Sequence, residues 1–387
     1  MNQLYFAIVA IAASSAAAVV PSTARQLPLL TTSYEGNATL LGASYAGDTL
    51  PPTGSPARNA SDMLYMALVA RGARLAQLEM SWSTLEPEPG VYDFQALAGL
   101  LLTARQRGGI PIFTLNVIDT NAVKVPSDLA NPSDSTRLRD GLHWNDSVVV
   151  TRYADAILVA APLVLAYGGF YFGVANEVDT NLAAHPETAD AFVEFVARAR
   201  DYIQGAASTE LAVGVTLTTP GLLRLAPPHT PPWLTTLLAV ADATPLNYYL
   251  LNETDLSVLP LSSVSDTVAA AIALLPPNSP IIFQEFGVPA GFNNASSVDG
   301  SSLAYQAAFV DVMAAVFKAH GVRAASLFML TDWDEATCEA VAQYYVPGAN
   351  WLNAPALLEY LCTLGVVDAY GTPKPAFDRL LAATTAH

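Results

Sequence analysis

Two glutamates in this chain end apolar, β-branched runs: Glu177 in Val174-Ala175-Asn176-Glu177-Val178-Asp179, and Glu285 in Ile281-Ile282-Phe283-Gln284-Glu285-Phe286-Gly287. A carboxylate at the end of a buried strand is costly unless partners or a chemical task hold it there. Two carboxyl groups converging on one site can divide the work of acetal cleavage. One stays protonated as a general acid, and the other stays ionised and attacks the anomeric carbon. Asn176, beside Glu177, could bind a sugar 2-hydroxyl, a contact that strengthens in the transition state. The competing reading of Glu177 is a strand cap. Asp179 is either a charge behind the site or a loop-turn residue.

Other residue types could support that chemistry. Tyr248 and Tyr249 close a predicted strand and could offer a phenol donor to Glu285. Gln284, by strand alternation, is expected to point away from the axis. Trp333, in Phe328-Met-Leu-Thr-Asp-Trp-Asp334, and Trp82 could each present an indole face to a pyranose ring, or simply fill the core. Gln77, Glu79 and Ser81 share one face of a strand whose other face carries Leu78 and Met80, and Asn116 ends the next strand. The five histidines are scattered, without His-x-His or His-Glu-x-x-His spacing, so no metal and no cofactor is expected. There is no Gly-x-Ser-x-Gly elbow, and no lysine ends a predicted strand, which disfavours esterase and aldolase chemistry.

The elements that must carry these residues alternate. Strands are predicted at 40–45, 75–82, 110–118, 169–175, 211–217, 245–250, 281–286 and 324–330. Helices are predicted at 60–71, 94–107, 147–167, 186–204, 233–241, 264–275, 301–320 and 375–383. Ser61-Asp62, Asn145-Asp146-Ser147 and Pro186 read as helix starts. This order implies an α/β fold, a single (β/α)8 TIM barrel whose strand C-termini meet at one face. Gly42-Ala-Ser-Tyr-Ala-Gly47 lacks the dinucleotide spacing.

The chain has 387 residues, 52% of them hydrophobic, and a net charge of −17. A basic face for nucleic acid is missing. Residues 1–24 resemble a signal peptide, with an apolar run from Tyr5 and small residues through Ala18, although Met1-Asn2-Gln3 carries no cation. An uncleaved anchor is the alternative, and no later stretch reads as long enough to span a bilayer. Residues 25–387 are then the catalytic barrel domain of a secreted, extracellular, monomeric glycoprotein. Asn-x-Ser/Thr sequons at Asn37, Asn59, Asn145, Asn252 and Asn294 fit that route. Cys338 and Cys362 could form one disulfide.

The ordered set Asn176-Glu177, Glu285 and Trp333 resembles glycoside hydrolase clan A. So do the segment from Trp82-Ser-Thr-Leu-Glu-Pro to Tyr92-Asp-Phe94 and the ending Gly371-Thr-Pro-Lys-Pro-Ala376. The resemblance spans roughly residues 40–380. It implies Glu177 as acid/base, Glu285 as nucleophile, retention of anomeric configuration and a β-linked glycan as substrate. Gln77 stands where many clan members carry an arginine against the nucleophile. Asn247-Tyr248-Tyr249 is closer to the double tyrosine of endo-β-1,4-galactanases than to the histidine-containing pattern of many other members, and cellulase-type members share other features. Loop 334–370, with Tyr344, Tyr345 and Trp351, could wall a subsite. A catalytically inactive carbohydrate-binding barrel is the competing function. It would be marked by loss of a glutamate, and both are present.

Overall fold

The computed structural model describes residues 39–46, 49–291, 298–346, 348–350 and 352–385. The expected leader, Asn37, Asn294 and Trp351 lie outside the described residues.

Eight parallel strands form the barrel: β1 (Leu40–Ala43), β2 (Leu75–Ser81), β3 (Ile110–Asn116), β4 (Tyr171–Ala175), β5 in two pieces (Ala212–Val215 and Leu217–Thr218), β6 (Leu246–Tyr249), β7 (Ile282–Gly287) and β8 (Ala324–Leu327). Thr216 interrupts β5. Its first piece pairs with β4 and its second with β6, so the sheet meets itself and the barrel closes. The helices between strands are α1 (Pro56–Ala70), α2 (Phe94–Gln106), α3 (Ser147–Ala166), α4 (Ala189–Ala206), α5 (Pro232–Val240), α6 (Val264–Ile272), α7 (Leu303–His320) and α8 (Pro375–Thr385). All eight predicted strands and helices are present.

The boundaries follow local chemistry. Helix α1 starts earlier than expected, because the Ser55 side chain accepts from Arg58 N and Pro56 fixes the first turn. Ser61 is buried mid-helix and accepts from Thr331 Oγ1 at 2.9 Å instead of capping. Asp146 precedes α3, but its carboxylate accepts from His143 N rather than from the helix. Pro186 opens a 3-10 turn ahead of α4. Helix α3 is long and apolar enough to cross a membrane by length and composition, contrary to the sequence reading. Here its Val149, Tyr153, Ile157 and Val164 are buried in the barrel's helix layer.

The barrel interior is layered by alternation along each strand. The N-terminal end is plugged by Leu40, Leu75, Ile110, Ile112, Tyr171, Ile282 and Ala324. Gly42 lets β1 approach β2 closely, since a Cβ there would meet the Leu75 carbonyl oxygen at 2.0 Å. Toward the strand C-termini the inward residues become polar: Thr114, Gln77, Glu79, Thr216, Gln284 and Asn247. Beyond β8 the chain makes two further helices, Glu335–Tyr345 and Pro355–Cys362, joined by the Cys338–Cys362 disulfide, before returning to α8.

Candidate active site

A cavity of about 1010 Å³ opens at the C-terminal end of the barrel and is lined by both Glu177 and Glu285. Glu177 follows β4 with φ 49° and ψ 41°, left-handed backbone that a non-glycine residue adopts at a cost. That turn aims its carboxylate at two partners. Thr120 Oγ1 donates to Oε2 at 2.8 Å, and Asn247 Nδ2 donates to Oε1 at 3.0 Å. Burial pushes the Glu177 carboxyl up to about 7, reinforced by the charges of Asp179 and Asp119 and opposed by the two hydrogen bonds.

Glu285 lies on β7, 8% exposed. Tyr249 Oη donates to its Oε2 at 2.5 Å, and Gln77 Nε2 to its Oε1 at 3.0 Å. The Tyr249 phenol is held well above its ordinary pKa by burial and by Glu285, so it stays a donor. The Glu285 carboxyl is also raised, first by burial and then by the charges of Glu79 and Glu177. Two buried acids that repel one another lose their protons in separate steps, so between those steps the pair carries one proton and one charge. Thr120 can accept as well as donate, so Glu177 keeps a partner when protonated, whereas the Gln77 amide nitrogen can only donate.

A third carboxylate supports the pair. Glu79 accepts from Gln77 Nε2 (2.8 Å), Gln284 Nε2 (2.7 Å) and Asn116 Nδ2 (3.0 Å). One amide nitrogen, Gln77 Nε2, thus bridges Glu79 and Glu285. Gln284 also donates to Asn176 Oδ1 and accepts from the Thr216 and Thr114 hydroxyls. Asn176 donates to Asp119 and accepts from Asn247. The amides form a continuous network across β2, β3, β4, β6 and β7. Asp179 accepts from Thr218 N and Oγ1, at 2.8 and 2.7 Å, and ties the short helix Val178–Ala184 to β5.

No protein-family profile and no curated protein sequence matches the chain. Solved structures do. The exo-β-1,4-mannosidase Op5Man5 from Opitutaceae bacterium strain TAV5 superposes with TM-score 0.61 and 18% identity, over 90% of this chain and 59% of that one. A GH5_18 protein from Streptomyces cattleya, solved with Manβ1-4GlcNAc, gives 0.62 and 16%, over 90% and 80%. A family 39 glycoside hydrolase from Bacteroides cellulosilyticus WH2 gives 0.60 and 12%, over 90% and 64%. The chain has the (β/α)8 barrel of these glycoside hydrolases. It spans about three fifths of the length of the mannosidase.

On that barrel the sequence-chosen residues divide. Glu177, Glu285, Asn176, Gln77 and Tyr249 line the cavity, and Asn116 backs them through Glu79. Tyr248 does not. Residues 247 and 249 face inward on β6, so Tyr248 faces out and packs near Phe309 of α7, with ring centroids 6.4 Å apart. Trp82 is likewise outward. It follows Leu78 and Met80 in alternation, is fully buried, and donates from Nε1 to Glu86 at 2.8 Å. Trp333 does not end β8, which stops at Leu327. It reaches the cavity wall from the following loop, 8% exposed and edge-on to Phe328.

Gln284 reverses its expectation. The pairing of β7 shifts register between Phe283 and Glu285, and this bulge turns both Gln284 and Glu285 inward. The sequence reading missed Asn247, which alternation from Tyr249 could have found. It also missed Thr120 and Asp119, on a hairpin (Ile118–Asp119 with Ala122–Val123) that carries no sequence signal. Tyr360, from the helix Pro355–Cys362, stands edge-on to Tyr249, and burial, reinforced by the charges of Glu177 and Glu285, holds its phenol well above the ordinary value. Tyr344 and Tyr345 do line the cavity, as the loop reading expected.

Proposed function

We propose that this protein is a retaining glycoside hydrolase of clan A type that cleaves β-linked glycans. The observation that carries the reading is a coupled pair of desolvated carboxyl groups, at the ends of β4 and β7, in one cavity. Glu177, protonated near neutral pH, donates its proton to the departing glycosidic oxygen. Glu285, ionised, attacks the anomeric carbon as that bond breaks and forms a glycosyl-enzyme ester. Glu177, now a base, takes a proton from water, which displaces Glu285 and releases the sugar with its configuration retained. Asn176 and Tyr249 are placed to bind sugar hydroxyls, and Phe328 and Trp333 supply aromatic wall.

Residues 1–24 are proposed as a leader, and the protein as secreted and monomeric. The Cys338–Cys362 disulfide supports passage through an oxidising compartment.

The test is hydrolysis of a panel of aryl β-glycosides and β-linked oligosaccharides, with the first product's anomer read by NMR. The β-anomer formed first, lost in Glu285→Ala, supports the proposal. Glu177→Ala should lose turnover on oligosaccharides yet still release activated phenols, because those need no acid. The α-anomer formed first would mean inversion. Oligosaccharide binding without any turnover would favour a carbohydrate-binding protein instead.

A further inference from the structure

A single amide nitrogen stands between two carboxylates on the inner face of the barrel. Gln77 Nε2 donates to Glu79 Oε1 at 2.8 Å and to Glu285 Oε1 at 3.0 Å. Its own Oε1 is buried with no donor among the described residues. A flipped amide would set that oxygen between two acids. Only a protonated Glu285 could meet it with a hydrogen bond, and Glu79 would still repel it. Glu79 therefore holds the nitrogen end of Gln77 toward the nucleophile.

Glu79 is firmly held in turn. Its Oε1 also accepts from Gln284 Nε2 at 2.7 Å, and its Oε2 accepts from Asn116 Nδ2 at 3.0 Å. Amide nitrogens donate and cannot accept, so all three meet Glu79 as a carboxylate. Gln284 carries the anchor to the other half of the site. The same Nε2 donates to Asn176 Oδ1 at 3.2 Å, beside Glu177. One side chain on β2 thus fixes the amide at the nucleophile and the amide next to the acid.

The titratable groups that face Glu285 are Glu79 on β2, Glu177 after β4, Tyr249 on β6, and Tyr345 and Tyr360 from the two helices after β8. Tyr171 of β4 faces Glu79. Burial holds all four phenols above their ordinary values, so they stay neutral. Glu177 carries the travelling proton. Glu79 is then the standing negative charge beside the nucleophile.

We propose that Glu79 is a positioning residue of the reaction: it holds the Gln77 amide on Glu285 and the Gln284 amide on Asn176, and it is the fixed charge against which the nucleophile works. This rests on the glycosidase reading with Glu285 as nucleophile. The two effects of Glu79 on Glu285 oppose one another. The fixed amide favours the ionised form, and the charge favours the protonated one. The charge wins. After burial it is the largest influence raising Glu285, and it outweighs the Gln77 hydrogen bond.

The probes are dinitrophenyl β-mannoside, β-glucoside and β-galactoside. Their leaving group needs no acid, so the acidic limb of kcat/KM reads Glu285. Glu79→Gln keeps the shape and removes the charge. It should shift that limb to lower pH by about one unit, and lower the plateau about tenfold because the Gln77 amide is no longer held. Gln77→Met removes the donor and leaves the charge, so it should shift the limb to higher pH. Thermal melts establish that each variant folds. Opposite shifts support the proposal, since residues that only pack the barrel would lower the plateau without moving the limb. An unmoved limb, or shifts in one direction, overturns it while the glycosidase reading stands. If one variant alone folds, the direction of its shift decides. If neither folds, the pair serves the stability of the barrel and the proposal fails. No turnover of any probe by the unaltered protein overturns the glycosidase reading and this one with it.

Discussion

Glu177 and Glu285 carry the same side chain and differ only in their partners. Two neutral donors on each are too few to offset burial, so both carboxyls are raised. With Glu177 as the proposed acid and Glu285 as the proposed nucleophile, the consequence is a bell-shaped pH dependence of kcat/KM. The acid must be protonated, so activity falls as pH rises through about 7, the position of Glu177. The nucleophile must be ionised, so activity also falls as pH drops below the raised Glu285 value. A pH profile on an oligosaccharide checks this, and Glu177→Ala, assayed on an activated aryl glycoside, should lose the basic limb while keeping the acidic one. A profile flat through pH 7 would remove Glu177 from the acid role. Gln77 belongs at this scale too. An arginine in its place would favour the ionised nucleophile more strongly, whereas the amide only shares its hydrogens between Glu79 and Glu285.

At the scale of elements, the loop after β8 decides the shape of the site. Its two helices bring Tyr344, Tyr345 and Tyr360 to the cavity. The disulfide between them closes a 24-residue separation around a small buried cluster that includes Trp333, Met329 and Leu358. Opening a loop of that size costs about 3 kcal/mol in the chain-entropy account. Mild reduction, or Cys338→Ala with Cys362→Ala, should therefore lower Tm by several degrees. Because the tyrosines ride on these helices, KM should rise more than kcat falls. Thermal melts and kinetics with and without reductant test this, and an unchanged KM would detach the helices from substrate binding.

At the scale of the molecule, the C-terminal segment fastens the barrel after its last strand. Lys374, in the Gly371–Ala376 ending noted from sequence, pairs with Asp332 at 2.6 Å, both nearly buried, and Asp332 also accepts from Gly365 N. Burial pushes the Asp332 carboxyl up to about 6 even against the lysine. Lys374→Met would strand that carboxylate and should cost about 3–5 kcal/mol. The loss should grow as pH rises, because the folded state would then hold the Asp332 proton more tightly than the unfolded chain. Denaturant unfolding at two pH values checks the size and the sign, and Asp332→Asn in the same background should recover part of the loss.

The sequence by itself determined the barrel, because eight apolar runs and eight amphipathic stretches alternate, and strand and helix periods are local properties. It also determined that Glu177 falls just after β4 and Glu285 near the C-terminal end of β7, since each closes a β-branched run. Its choice between neighbours held wherever simple alternation held, as in Gln77 against Leu78. It failed where alternation was broken or misapplied: the β7 bulge turned Gln284 inward, and the inward face of β6 belongs to Asn247 and Tyr249 rather than to Tyr248. Trp82 and Trp333 were chosen for their type, but their positions depend on helix packing and on where β8 ends. The pairing of Glu79 with Gln284, the Thr120 contact to Glu177 and the Lys124–Tyr344 contact join residues far apart in the chain. No local period encodes such contacts, and only closure of the barrel brought them within hydrogen-bonding reach.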